Sequence, residues 1–382
     1  MKIVVLGWYG TETLGDRAIL YGLMEIFEKT FGQVGISIGS IYPFFTERSL
    51  YEDEAFLSLC APMAQVSYFD VKNKEILNSE ILGSDLVIMG GGPIMDLNDL
   101  GIIEYGFGIA KKNKIKTALL GCGIGPLFKK KFQKTSLKLL KQADLVILRD
   151  EVAKRNILEL EKINNFKIDK DVYVTFDPAI LPVRKFIENY GERKIDNNIA
   201  INFREFPKGN FQNVDTNQID KLLINTLEDI SKHYEKIILF PMHTFSVGGD
   251  DRYYLSKLIF RASSGNIKVL DKPMCLWELF ELVYNSNACI GMRYHSVVFQ
   301  SLLNGNNLIF DYTEASKGKI SGFLDIINGK DFYYLRYINI QSLSHEKTLN
   351  IESLLEENKF NYPSDIFDRC QKTFCNNLKV LF

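Results

Sequence analysis

The sequence predicts an α/β protein built as two open parallel sheets, and three observations carry that expectation. Short β-branched runs alternate with helical patterns from the first residue to about Leu181. The runs are apolar almost throughout, as strands covered on both faces are. The same alternation restarts after a polar, charged stretch over 184–198, RKFIENYGERKIDNN, which reads as the connection between domains. The expected domains are therefore 1–184 and 197–382, the second ending in a C-terminal helix.

In the first half the strands are expected at Lys2–Leu6, Gly35–Ile41, Asp85–Met89, Lys116–Leu120, Asp144–Leu148 and Val172–Thr175. A helix over Asp16–Phe31 follows from Ile19, Leu20, Leu23, Met24 and Phe27 at i, i+3, i+4 spacing behind a polar cap candidate. In the second half, strands at Ile199–Phe203, Lys236–Phe240, Ile267–Leu270, Ala288–Ile290 and Asn307–Asp311 alternate with helices near Thr216–His233, Asp251–Ala262, Leu276–Tyr284, Tyr294–Asn304 and Lys317–Ile327. Ser364–Phe382, although counted with the second domain, reads as a helix with apolar and basic residues that packs across the first domain or touches a membrane, and core packing is favoured. Two such sheets side by side place the expected active site in a cleft between the domains, at the carboxyl ends of both.

Composition narrows the function classes. The 382 residues include 46 Lys plus Arg against 47 Asp plus Glu, a net charge of -1, so the molecule as a whole offers no attraction to nucleic acid and any anion site is local. The N-terminal apolar run breaks at Gly7, too early for a signal peptide, and no window approaches the ~20 apolar residues of a membrane span. A cytoplasmic protein is expected, with access to the inner membrane face. The six cysteines are scattered, without metal-ligand spacing, and read as reduced, mostly buried thiols. No metal site is expected.

Three glycine turns follow strands in the first half: Gly7–Gly10 with Gly15-Asp16, Gly90–Gly92, and Gly121–Pro126. Glycine lets the backbone turn sharply and lets a ligand approach main-chain N–H groups, although tight βα turns need it anyway. The sharpest feature is Gly291-Met292-Arg293-Tyr294-His295-Ser296, where a strand runs into a helix and an arginine fork, an imidazole and a helix N-terminus converge in a way suited to phosphate or carboxylate; the alternative is that Arg293 forms a surface salt bridge and His295 is a satisfied core residue. Arg149, Arg204 and Lys319 stand at further strand ends or in a loop over the cleft, and His243 after another strand is a candidate for domain contact or acceptor binding. Among carboxylates that could activate a hydroxyl, Asp16 comes first, with a helix N-cap as the equal alternative; Asp96 is second, and Asp177 reads as a turn-former. Trp8 and Tyr9 offer an aromatic face to a sugar ring or pack in the core. His233 and His345 carry no assignment.

The segments GWYGTETLGDRAIL, DLVIMGGGPIMD, LLGCGIGPL, ADLVILRDE, VTFDPA, IAINFRE and CIGMRYHSVVFQSLLNGN, in this order, resemble the polysaccharide pyruvyl transferase family from Lys2 to about Ile327. The resemblance is most specific at Gly291–His295, with support from the lysine-containing loop at Ala315–Phe323. It implies a fold similar to GT-B glycosyltransferases, two Rossmann-like domains facing across a cleft. It also implies transfer of a pyruvyl group from phosphoenolpyruvate onto two hydroxyls of a sugar, a galactose-type residue of a lipid-linked or surface polysaccharide repeat unit, giving a cyclic ketal and phosphate with no cofactor. An undecaprenyl-diphosphate-linked acceptor would bring the protein to a membrane surface. By position, Arg293, His295, Arg204, Lys319 and Arg149 would bind phosphoenolpyruvate. Trp8, Tyr9, Asp16, Gly91, Gly92, Asp96 and His243 would line the acceptor side. His295 and Asp16 are the expected catalytic acid and base. The sequence departs from the family at Thr13, where asparagine is common, at Arg17, where an acid is common, and at Cys122, where glutamine is common. The alternative is a GT-B-type nucleotide-sugar glycosyltransferase of surface polysaccharide synthesis.

Overall fold

The structure is a computed structural model that describes residues 1–207, 215–245, 249–314, 318–342 and 358–382. It divides into two compact units, 1–185 with 364–382, and 186–363. Three of the sequence readings, His345, the start of the helix expected at Lys317 and the Ala315–Lys317 part of the lysine loop, lie outside the described residues.

In the first unit the chain runs β1 (Lys2–Leu6), α1 (Leu14–Phe31), β2 (Gly35–Ser40), α2 (Pro43–Glu52), α3 (Glu54–Cys60), β3 (Gln65–Asp70), α4 (Lys74–Leu82), β4 (Leu86–Gly90), β5 (Pro93–Ile94), α5 (Leu100–Lys112), β6 (Lys116–Ile124), α6 (Lys130–Gln142), β7 (Leu145–Leu148), α7 (Glu151–Asn164) and β8 (Val172–Val174). Every pairing is parallel, in the order β3-β2-β1-β4-β6-β7-β8, with β5 beside β6. The central strands are buried on both faces, which is why they read as unbroken apolar runs.

A helix, α8 (Ile180–Tyr190), follows, and the division between units falls inside it. The stretch read as a connection is thus partly helical. Phe186 and Tyr190, one turn apart and stacked at 4.7 Å, pack on Trp277 and Tyr284. Arg193 donates to the Ser286 carbonyl at 3.1 Å, so the segment is docked on the second unit rather than free.

The second unit holds β9 (Asp196–Asn202), α9 (Thr216–Ile230), β10 (Lys236–Leu239), α10 (Asp251–Arg261), β11 (Ile267–Val269), α11 (Leu276–Asn285), β12 (Ser286–Gly291), α12 (Tyr294–Leu303), β13 (Asn307–Asp311), α13 (Lys319–Ile326), α14 (Lys330–Tyr333) and β14 (Tyr337–Asn339). Its sheet is again wholly parallel, in the order β11-β10-β9-β12-β13-β14.

The C-terminal helix, α15 (Ile366–Val380), belongs to the first unit and not, as the sequence suggested, to the second. Its apolar stripe of Ile366, Phe367, Cys370, Phe374, Cys375 and Leu378 is buried, and Gln371 donates to Glu25 of α1 at 2.8 Å. Because α1 is covered on one side by the sheet and on another by α15, nearly its whole circumference is buried. That burial uses the face that would otherwise enter a membrane. Among the described residues no helix is long and apolar enough to cross one.

Phe374 is completely buried in this seam. Phe374→Ala is expected to cost about 3–5 kcal/mol. The check is denaturant unfolding of the two units, where only the transition of the first should move to lower denaturant.

Candidate active site at the carboxyl edge of the second sheet

Parallel register sets the geometry of this edge. Ile201 of β9 lies opposite Leu239 of β10 and Ile290 of β12, and Gly291 lies opposite Ile309 of β13. The residues that follow each strand therefore emerge side by side: Arg204 after β9, Met242-His243 after β10, Arg293 and His295 after β12, Tyr312 after β13. The buried Asn202 side chain ties three of these ends together, donating to the Phe240 carbonyl at 3.0 Å and accepting from the Arg293 N–H at 3.2 Å.

Arg293 stands at the N-cap of α12. Its guanidinium is gripped by Asp251, with Nε to Oδ2 at 2.8 Å and Nη2 to Oδ1 at 2.5 Å, and the same carboxylate accepts the backbone N–H groups of Met242 and His243 at 3.0 Å each. A bidentate pair of this kind fixes the plane of the guanidinium as well as its position. Asp251, the first residue of α10, thus joins the ends of β10 and β12. His295 follows on the first turn of α12, half-buried, edge-on to Tyr294 at 4.9 Å and stacked over Phe299 at 6.0 Å.

Arg204 donates from Nη1 to the Tyr312 hydroxyl at 3.2 Å and lies 4.9 Å from the centre of its ring. Lys319 opens α13 with its ammonium 5.8 Å from the Tyr294 ring centre. The electrostatics show that these groups share one locality. Burial pushes His243 well below the ordinary imidazole range, and Arg293, Arg204, Lys319 and His295 push it further, so it is neutral at pH 7. Burial alone would raise the Tyr312 phenol, but Lys319, Arg204 and Arg293 outweigh it and lower the pKa to about 8. A cluster of three permanent cations, two imidazoles and an acidified phenol can hold a compact polyanion and move protons near neutral pH.

The sequence located Arg293, His295, Arg204 and Lys319, which the structure brings together. His243, a candidate for domain contact or acceptor binding, sits among these cations. The sequence missed Asp251, read only as a helix start, and Tyr312.

The remaining candidates lie in the first unit. Arg149 is 2% exposed and bound to Asp177 at 3.1 Å and Asp150 at 3.6 Å, buried ion pairs that support the β7 end within the first unit. Asp177 also forms the expected turn, accepting from the Ala179 N–H at 3.0 Å. Asp96 accepts the N–H groups of Phe128 and Lys129 through Oδ2 at 3.1 and 3.0 Å, which satisfies the start of α6, while its Oδ1 is buried without a hydrogen-bond partner among the described residues. Trp8 and Tyr9 are core residues, with polar tips donating to the Pro93 carbonyl at 3.0 Å and the Gly90 carbonyl at 2.7 Å. Gly91 and Gly92 have φ of 76° and 68°, and a Cβ would strike Ile19 at 2.0 Å and Trp8 at 2.5 Å, so packing alone requires glycine there. Asp16 is half-buried in the first turn of α1; Thr13, not Asp16, is the N-cap residue. Arg17 is balanced by Asp53 at 2.6 Å and Glu52 at 3.2 Å, which accounts locally for a base where an acid is common.

Comparison with known proteins fits this architecture. Similar solved structures include the Methanocaldococcus jannaschii UDP-GlcNAc 2-epimerase in complex with UDP-GlcNAc and UDP, 15% identical over 98% of each chain with a TM-score of 0.56. Anabaena Alr3699/HepE in complex with UDP is 12% identical over 100% of each chain with a TM-score of 0.52. An α-glucosyltransferase in complex with UDP and DNA is 11% identical over 100% of this chain and 99% of its own, with a TM-score of 0.51. At such identities the likeness shows the fold alone, two Rossmann-like domains of the GT-B kind. No curated protein matches the chain. The family model described as polysaccharide pyruvyl transferase matches residues 14–313, which take in α1, the Arg204 strand end, Asp251, the Arg293–His295 turn and Tyr312, and the chain belongs to that family of transferases.

Proposed function

We propose that this protein moves the pyruvyl group of phosphoenolpyruvate onto two hydroxyls of a sugar in a lipid-linked or surface polysaccharide repeat unit, forming a cyclic ketal and releasing phosphate. The observation that carries the reading is the convergence of Arg204, Arg293 and Lys319 with His243 and His295 around Tyr312. A small donor with nearly three negative charges needs that density of cation in a protein whose net charge is only -1.

The chemistry follows in balanced steps. His295, charged in the presence of phosphate, gives a proton to the methylene carbon of the donor, leaving an oxocarbenium-like centre at C2. One sugar hydroxyl adds there. The C2–O bond to phosphate then breaks, the second hydroxyl closes the ring, and of the two hydroxyl protons one restores His295 and the other leaves with hydrogen phosphate. Arg293 and Arg204 hold the anion through both bond changes, and Asp251 positions Arg293. Asp16 remains the proposed hydroxyl base on the acceptor side.

The second reading is a nucleotide-sugar glycosyltransferase, favoured by the UDP bound in the similar structures. The deciding experiment supplies labelled phosphoenolpyruvate or UDP-sugars with a glycolipid acceptor. Product heavier by one pyruvate less water, with phosphate released, supports the proposal; release of UDP with sugar transfer overturns it.

Arg293→Ala is expected to raise the KM for phosphoenolpyruvate roughly 10- to 150-fold, the equivalent of a lost charge-assisted bond of about 1.5–3 kcal/mol. Because that variant strands the Asp251 carboxylate, R293A/D251N should show the same KM with a restored melting temperature. His295→Ala should lower kcat by about 10²–10⁴ with little change in KM; the reverse pattern would make His295 a binding residue only.

Tyr312 gives a pH signature. Its phenol should ionise near pH 8 in the free protein, seen as a tyrosinate absorbance step absent from Tyr312→Phe, and bound phosphoenolpyruvate should move the step to higher pH by neutralising the cations. In the unfolded chain the phenol ionises near pH 10, so the stability it contributes is complete above about pH 10 and is lost as pH falls through the folded value. The stability of the wild type relative to Tyr312→Phe should therefore rise from pH 8 to pH 10.

A further inference from the structure

The surface of α6 has a character that the reaction does not use. From 128 to 142 the chain reads FKKKFQKTSLKLLKQ, six lysines and no acid, and all six lysines are exposed. At about 100° per residue, Lys130, Lys131, Lys134, Lys138 and Lys141 fall in one sector about 100° wide and roughly 17 Å long. The opposite side carries Phe132, Ser136, Leu139 and Leu140, all buried, with the three apolar ones in the core of the first unit. That face is committed, so what α6 presents outward is a one-signed stripe. Among the described residues one acid pairs with it, Glu104, 3.9 Å from Lys138. At the amino end Phe128 is 54% exposed.

The geometry points to α6 as a docking surface for an anionic lipid bilayer, with headgroup phosphates along the lysine stripe and Phe128 entering the interface. Three features favour a bilayer over nucleic acid. The stripe contains only lysine, a point charge suited to a diffuse field, and no arginine, whose planar fork recognises individual phosphates. An exposed phenylalanine beside it matches a surface with an apolar layer beneath. And the chain's overall charge of -1 leaves the stripe to orient the molecule by itself. The surface stands apart from the proposed reaction, since it needs no substrate, though it would bring the enzyme to a lipid-linked acceptor.

The test is co-sedimentation of the full chain with vesicles of phosphatidylcholine alone or with phosphatidylglycerol added. Binding is expected to the anionic vesicles only and to fall steeply with salt. At about fivefold in partitioning per lysine, the triple variant Lys130→Gln, Lys134→Gln, Lys138→Gln should bind about 100-fold more weakly while keeping the wild-type melting temperature, because glutamine is a good helix former. Phe128→Ser should weaken binding with less change in its salt dependence. Equal binding to neutral vesicles, full binding by the triple variant, no binding at all, or displacement from vesicles by duplex DNA would each overturn the proposal. None of these outcomes depends on turnover, so failure here leaves the donor chemistry to be judged separately.

Discussion

Charges of one sign gathered at one strand edge repel, and two unit charges about 4 Å apart at an effective dielectric near 20 cost ~4 kcal/mol. The second unit sets the buried carboxylate of Asp251 at the centre of this edge. Asp251 takes the guanidinium of Arg293 in two bonds and anchors itself on two backbone N–H groups of the neighbouring strand end. The other groups adjust their protonation: His243 stays neutral and Tyr312 gives up its proton more easily than a buried phenol should. On the proposed reading, a bound trianion would neutralise the cations gathered at this edge.

Much of this was legible in the chain. Strands covered on both faces read as apolar runs, so the inner strands of both sheets and the turn at Arg293 stood out. Two edge strands did not. β3, with exposed Gln65, Ser67 and Tyr68, has neither an apolar run nor a clean alternation, and β14 is only three residues long. The α8 segment read as a connection because Phe186 and Tyr190 are one turn apart in an otherwise charged stretch, and only their aromatic partners in α11 reveal the pattern. The place of α15 depends on contacts made more than 300 residues away in the chain, between Gln371 and Glu25, which no local signal carries.

The site shows the same division. Arg293 and His295 are neighbours in sequence and at a strand-to-helix turn, so local chemistry exposes them. Asp251 is 42 residues from its arginine and sits at a helix start, where an aspartate needs no special reason. Tyr312 looks like any strand-end tyrosine until the register of β9, β12 and β13 brings three cations to it. In the first unit the glycines and aromatics, which the sequence read as either packing or ligand contacts, make packing contacts. Gly91 and Gly92 answer to Ile19 and Trp8, and Arg149 to Asp177, so these positions hold the unit's own packing together.

The claim that all else depends on is that the carboxyl edge of the second sheet binds a compact trianion. Calorimetric titration of the full chain with phosphoenolpyruvate and, separately, with UDP tests it most directly. The account predicts one phosphoenolpyruvate site whose affinity drops steeply with added salt and is lost in Arg204→Met. Binding of UDP with no heat from phosphoenolpyruvate, or phosphoenolpyruvate binding indifferent to Arg204, would contradict it.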